Sequence, residues 1–294
     1  METARCKAFM CAAETGSFSK AAEILNYTPS GVSQLVTAFE NELGIPLLRR
    51  TKKGVIVTPN GELMLSAVRD YLQQENRIYQ LASEMNGLVI GSVTIATYSS
   101  ISTHWLPGVI SAFSKDYPNI HIKLLEGVRQ EVCRWLDEKT ADVAFLSYKY
   151  PMPYDWFPIA EDRMLAVLPK NHPYAERSSY PLANCQNERL ILPEYGNDND
   201  VVALFEQYGL DPEVSLSTIE SYSTLSMVEE GLGMSIMNEL ITKNWPCDVV
   251  KLPLDPPQSI TLGIAVHSLK TASPAVKRFV KFAADKLREQ TAAE

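Results

Sequence analysis

Residues 17–44 read SFSKAAEILNYTPSGVSQLVTAFENELG, and this stretch decides the architecture of the N-terminal part of the chain. Ser17 is an N-cap residue ahead of a run with Phe18, Ala21, Ala22 and Leu25 at i, i+3, i+4 and i+7, the apolar stripe of a short helix. The alanines allow a second helix to approach closely. Asn26 and Tyr27 make the turn. Thr28 then caps a second helix whose first position is Pro29, where a missing N–H costs nothing. Val32, Val36, Phe39 and Leu43 face inward along it. Ser30, Ser33, Gln34 and Thr37 lie away from that stripe, and Gly31 keeps the surface low. Such side chains suit hydrogen bonds to base edges and phosphates, and the helix N-terminus adds attraction for phosphate. The stretch therefore reads as a helix-turn-helix. By periodicity alone it reads equally as an amphipathic helix with a solvated polar face.

What flanks the stretch favours the first reading. Upstream, Thr3 to Glu14 places Ala8, Phe9 and Ala12 on one helical face, and Gly16 ends that helix. Downstream, IPLLRRTKKGVIVT (45–58) reads as a basic hairpin, or wing, around Lys52-Lys53-Gly54. The chain has 294 residues and a net charge of -8, which argues against nucleic acid until the distribution is seen. Residues 1–60 hold seven Lys/Arg against five Asp/Glu, and Arg49, Arg50, Lys52 and Lys53 sit within five residues. A local basic patch on an acidic body supplies the phosphate-directed part of DNA binding. The expected DNA-contacting residues are Ser17, Thr28, Ser30, Ser33, Gln34, Thr37, Arg49, Arg50, Lys52 and Lys53. Thr58 and Pro59 open a further long helix to about Met85, with Leu65, Val68, Leu72, Tyr79 and Ala82 along one seam. Partly heptad spacing favours a partner helix, and a helix-turn-helix reads two half-sites through a twofold partner. Packing on its own domain is the alternative for that seam.

These N-terminal motifs resemble the LysR-type transcriptional regulators: G-S-F-x-x-A-A (16–22), T-x-x-x-V-S (28–33), E-x-E-L-G-x-P-L (40–47) and T-P-x-G (58–61). The departure is Pro29, which stands where most members carry a Gln used for DNA contacts, so readout must lean on Ser30, Ser33, Gln34 and Thr37. The resemblance implies pairing through residues 61–88, a tetramer, contact with the transcription machinery and a cytoplasmic location.

Beyond residue 88 strands alternate with helices. Expected strands are 93–97, 121–126, 142–146, 164–168, 189–192, 214–218, 234–237 and 260–266, with helices at 106–116, 130–138, 200–208, 221–230 and 273–289. The order argues an α/β fold with largely parallel sheets. LPGVISAFSKDYPNIHIKLLEG (106–127), TADVAFL (140–146), VLPKNHPYA (167–175) and VEEGLGMSIM (228–237) resemble the effector-binding half of the same regulators, which is similar to two-lobed solute-binding proteins. Asn238 departs from the Pro of many relatives. The expected organisation is a winged helix-turn-helix over 1–60, a linker helix over 61–88 and an effector domain over 89–294. Its first lobe spans about 89–160 and 267–294, its second about 161–266.

Ligands of open α/β sheets bind beyond the carboxyl ends of the strands. That rule selects Tyr98, Ser99, Ser100, Thr103, Gly127, Arg129, Ser147 and Tyr148 in the first lobe and Tyr195, Gly196 and Ser221 in the second. Hydroxyls, helix N–H groups and Arg129 suit a small anionic effector such as a carboxylate; as capping and loop residues they need bind nothing. No catalytic residue, resident cofactor or metal is expected: His104, His121, His172 and His267 lack ligand spacing, and Gly231-Leu-Gly233 follows a helix rather than a strand. Five scattered cysteines fit a reducing compartment, with Cys185 the one weighed as redox-active. Neither a secretory signal nor a membrane span is read. A transport-type binding module and an enzyme fused to a regulator are the competing classes. Turnover of the bound molecule would mark the latter.

Overall fold

A computed structural model describes residues 2–193 and 199–293, which form two compact units, 1–88 and 89–294.

The first unit contains α1 (Thr3–Thr15), α2 (Phe18–Leu25), α3 (Pro29–Leu43), the antiparallel pair β1 (Leu48–Thr51) and β2 (Gly54–Val57), and α4 (Pro59–Met85). Its helix boundaries follow from local chemistry. Gly16 and Asn26 end α1 and α2 in the left-handed region. Ser17 accepts from the Lys20 N–H, Thr28 from Gly31 and Thr58 from Gly61. The Glu40 carboxylate accepts from the Leu47 and Leu48 N–H groups at 2.7 and 2.9 Å, fixing where the wing begins. At the far strand, the Val55 N–H donates to the Gly16 carbonyl, tying the wing to the α1–α2 turn. A side chain on Gly54 would collide with that carbonyl. Phe9, Phe39, Val32 and Val36 form the core.

The seam on α4 divides. Leu65, Val68 and Leu72 pack into this same core, with Val68 only 2% exposed. That corrects the expectation that the whole seam faces a partner: the first four turns are consumed by their own domain. Leu63 is exposed in the first turn, and beyond the packed stretch Ile78, Tyr79 and Met85 are exposed as well.

The second unit runs β3 (Gly91–Thr97), α5 (Ser99–His104), α6 (Leu106–Asp116), β4 (Ile120–Glu126), α7 (Arg129–Asp137), β5 (Val143–Ser147), β6 (Asp155–Pro169), β7 (Tyr180–Pro181), β8 (Arg189–Pro193), α8 (Asp200–Tyr208), β9 (Glu213–Thr218), α9 (Ser221–Glu229), β10 (Ser235–Asn238), α10 (Glu239–Thr242), β11 (Val249–Val266) and α11 (Pro274–Ala293). The main sheet has the order β10-β6-β11-β5-β3-β4, and β8 pairs with β9 in a small parallel sheet. Two lobes follow from the cores. One gathers Val93, Ile95, Phe113 and Phe145 with Phe279 of α11, so the last helix packs on the first lobe as expected. The other gathers Leu168, Leu190, Phe205 and Ile236.

Two expectations need correction. The sheet is not largely parallel: β6 and β11 run antiparallel to each other, and β10–β6 and β11–β5 are antiparallel as well. Only the apolar halves of the two long strands were visible as periodic runs. Pro158, Glu161, Asp162 and Arg163 interrupt the pattern in β6, and Pro253, Pro256 and Pro257 do so in β11, where the register shifts between Pro253 and Gln258. Second, residues 262–266 do not belong to the second lobe, and Ile260 touches both cores. Leu262, Ile264 and Val266 are buried in the first-lobe core, so the chain crosses between lobes within β6 and again within β11.

Candidate DNA-binding face and interlobe cleft

The starts of α2 and α3 and the first wing strand enclose a hollow of about 650 Å³. Ser17, Ser30, Ser33, Gln34 and Arg50 all border it. Arg50 is the centrepiece: its guanidinium lies 5.0 Å from the Phe18 ring centroid and donates to the Ser33 hydroxyl. Ser33 thereby keeps its own proton to donate, and Arg50, though exposed, is held against α2 and α3. Side chains alternate along a strand, so Arg49 points away from Arg50; it is exposed, as are Lys52 and Lys53 at the hairpin tip. Thr37 is exposed two turns into α3, outside the hollow. The Thr28 hydroxyl is committed to capping, accepting from Gly31 and sharing a 3.1 Å hydrogen bond with Ser30, which places it as a support for the helix start.

In the second unit the ends of β3, β4, β8 and β10 converge on a cleft of about 300 Å³ between the lobes. Tyr98, Ser99, Ser100, Gly127, Arg129 and Ser221 line it. Thr103 is exposed one turn further along α5, and Tyr148 is 44% exposed beside Trp156, so neither lines the cleft. Ser147 is fully buried beneath it: its hydroxyl and carbonyl both accept from Arg129, the hydroxyl at 3.0 Å, and the hydroxyl also contacts the Tyr98 phenol at 3.3 Å. Ser147 thus positions the arginine and the tyrosine. Tyr195 and Gly196 lie outside the described residues. Burial raises the Tyr98 phenol far above its ordinary range despite nearby Arg129, so it stays neutral.

Sequence reasoning missed most of the cleft's charge. Glu126, Glu131, Asp162, Asp200 and Glu220 line it against the single guanidinium of Arg129. Lys149, in the loop after β5, reaches Asp200 at the start of α8 at 3.4 Å, an ion pair between the two lobes. Asp162 enters from β6, its carboxylate accepting the Leu240 N–H at 3.0 Å; burial nevertheless pushes its pKa up to about 7. At the end of β10, the Asn238 amide nitrogen is buried without a hydrogen-bond partner. The strand-end rule reaches Asn238, one residue past the expected strand; Asp162 had no sequence signal because it sits mid-strand. Cys185 is fully buried, and burial pushes its thiol up to about 12, which makes it a poor nucleophile.

Comparison with known proteins places these two sites in one framework. Residues 4–62 match the model of the bacterial regulatory helix-turn-helix proteins of the lysR family, and residues 86–288 match the LysR substrate binding domain. The chain belongs to the LysR family. It is a DNA-binding transcriptional regulator with an effector-binding domain. YvbU of Bacillus subtilis, an HTH-type transcriptional regulator, is 33% identical over 286 residues, covering 96% of this chain and 98% of YvbU. LrrA of Synechococcus elongatus, a probable regulator of the same type, is 30% identical over 96% of this chain and 94% of its own length. Among solved structures, full-length OxyR from Pseudomonas aeruginosa superposes with a TM-score of 0.77 at 20% identity, covering 98% of this chain and 95% of OxyR. CbnR in complex with its target DNA gives 0.66 at 19% identity, covering 98% and 100%. At those identities the structural matches speak for the fold. Among the described residues, no helix is long and apolar enough to cross a membrane.

Proposed function

We propose that this LysR-family regulator is a non-catalytic, cytoplasmic protein that reads promoter DNA with α3 and changes its output when a small molecule fills the interlobe cleft. The observation that carries the DNA part is the shared hollow in which Ser17, Ser30, Ser33, Gln34 and Arg50 meet. Ser33 and Gln34 present donors and acceptors to base edges. Arg50, with Arg49, Lys52 and Lys53 on the wing, meets phosphate. Two such heads pair through the exposed second half of α4, around Ile78, Tyr79 and Met85, and pairs associate further into a tetramer that contacts the transcription machinery.

For the effector, the acidic lining disfavours a multiply charged anion: Glu126, Glu131 and Glu220 stand with Arg129, beside Asp162 and the Asp200 that Lys149 pairs. It favours a molecule with one acceptor or carboxylate end at Arg129 and Ser100, a second acceptor near the Asn238 amide, and donors toward the acidic wall. The effector-binding domain of QuiR, a structural relative at a TM-score of 0.60 and 22% identity over 68% of this chain, is in complex with shikimate, which supports a compact polar ligand of this class. Such a molecule selects the lobe arrangement in which it touches both lobes and releases unchanged.

A mobility-shift assay with DNA from upstream of the regulator's own gene tests the reading. The Ser33→Ala/Gln34→Ala double variant should bind at least tenfold more weakly while keeping its circular dichroism. Undiminished binding would sink the assignment of the reading face.

A further inference from the structure

Glu75 breaks the apolar seam of α4. Leu65, Leu72 and Tyr79 are spaced by seven, and Val68, Glu75 and Ala82 form the companion row three residues on. A carboxylate in such a row opposes burial against a partner helix, because a buried charge needs a partner of its own. Its partners stand on α1. The Thr3 hydroxyl donates to Glu75 Oε1 at 2.8 Å, and Lys7 Nζ lies 3.5 Å from Glu75 Oε2. With that hydroxyl proton spent on Glu75, the Tyr71 phenol donates to the Thr3 oxygen at 3.2 Å. Thr3 is the first residue of α1, so the carboxylate also meets the helix end whose dipole favours an anion.

The placement of this clasp gives it a mechanical consequence. Near the other end of α1, Glu14 stands 4.0 Å from Arg69 of α4. Between the two polar contacts, Phe9 and Ala12 of α1 share a core with Leu65, Val68 and Leu72. Two helices held only by a central apolar contact can pivot about it; polar contacts at both ends of α1 remove that freedom. Glu75 lies about one turn beyond Leu72 and one turn before the exposed Ile78 and Tyr79. Lys7 is half exposed, so the ion pair adds little stability and acts chiefly on direction. Residues 75–85 extend about 15 Å, so a swing of about 10° carries the far end about 3 Å, close to the rise of one base pair.

We propose that Glu75 is a positioning residue for DNA binding: with Thr3 and Lys7 it sets the angle at which α4 leaves the N-terminal unit, and so the spacing of two paired reading heads on the duplex. The inference rests on the proposed pairing through the second half of α4.

The test uses the intact protein and the upstream DNA segment it protects in a footprint. Affinity is measured for that segment, for the same segment lengthened by one base pair at its centre, and for one half of it. The ratio of the first two affinities is the spacing preference. Glu75→Ala and Thr3→Val, each sedimenting like the parent with an unchanged melting temperature, should lower that ratio at least threefold. Their affinity for the half segment should stay within twofold of the parent's. Glu75→Gln, which keeps the oxygen that Thr3 donates to, should retain most of the preference. A purely structural role would instead weaken the intact and half segments alike. That pattern, an unchanged ratio in both variants, or a parent with no spacing preference would each overturn the proposal. Dimers that persist in Tyr79→Glu would remove the pairing on which it rests, whereas an unchanged ratio in a dimer that Tyr79→Glu does dissociate refutes the role of Glu75 alone.

Discussion

Replacing Asp162 by Asn should stabilise the protein, and increasingly so as pH rises. The side chain is 8% exposed, and burial lifts its pKa from an ordinary 3.8 to about 7. A carboxyl with a raised folded-state pKa opposes folding once it must ionise. Below about pH 4 both folded and unfolded chains hold the proton and no penalty exists. Between about 4 and 7 the unfolded chain releases it first, so stability falls as pH rises, and the full penalty stands above 7. A difference of about three units at 1.36 kcal/mol each sets a ceiling of about 4 kcal/mol. Integrated over the accessible range, the penalty grows from about 2 kcal/mol at pH 5.5 to about 4 at pH 8. Asparagine retains the oxygen that accepts the Leu240 N–H, so the variant removes the charge and little else. Asp142, raised by burial to about 6 while accepting the Thr94 N–H, completes most of its titration below this window and adds under about 1 kcal/mol to the slope. Urea denaturation of the intact chain at pH 5.5, 6.5, 7.25 and 8 measures the difference. The parent should lose about 2 kcal/mol across the series relative to Asp162→Asn. Parallel slopes for the two proteins, or a variant less stable than its parent at pH 8, would refute the reasoning.

Three further outcomes follow from packing and capping. Thr28→Ala removes the acceptor for the Gly31 N–H and should cost the first unit about 1 kcal/mol, read from its thermal transition, with a matching loss of DNA affinity. Phe279→Ala empties the centre of the first lobe, where the ring meets Phe113 edge-on at 5.2 Å, and should cost about 3–5 kcal/mol by denaturant titration. Tyr79→Glu and Val68→Glu separate the two halves of α4: by sedimentation and circular dichroism, the first should dissociate the proposed dimer and leave the fold intact. Val68→Glu, at a position 2% exposed, should unfold the N-terminal unit.

How far the fold could be read in advance depended on how local its causes are. Helix starts were legible because Ser17, Thr28-Pro29 and Thr58-Pro59 act on their own first turns, and the structure uses each hydroxyl as a cap. The strands that carry unbroken apolar runs, such as Val143–Ser147, were legible for the same reason. What stayed hidden depends on partners far away in the chain. The charged half of β6 is a strand only because residues about a hundred positions on pair with it: Ile260 opposes Asp162 and Ser259 opposes Arg163. No local pattern announces such a pairing, and prolines on the partner strand argue against it. The same long-range pairing explains why the effector side of the molecule was read incompletely. Strand ends and helix starts, which are local features, yielded Tyr98, Ser100, Arg129 and Ser221. Asp162 reaches the cleft from the middle of a strand, and Lys149 meets Asp200 only because the lobes face each other. The crossing strands β6 and β11 are therefore more than connectors. Asp162 reaches the cleft from β6, and the two strands run through both lobe cores, so the acidic charge at the cleft is set by the same residues that join the lobes.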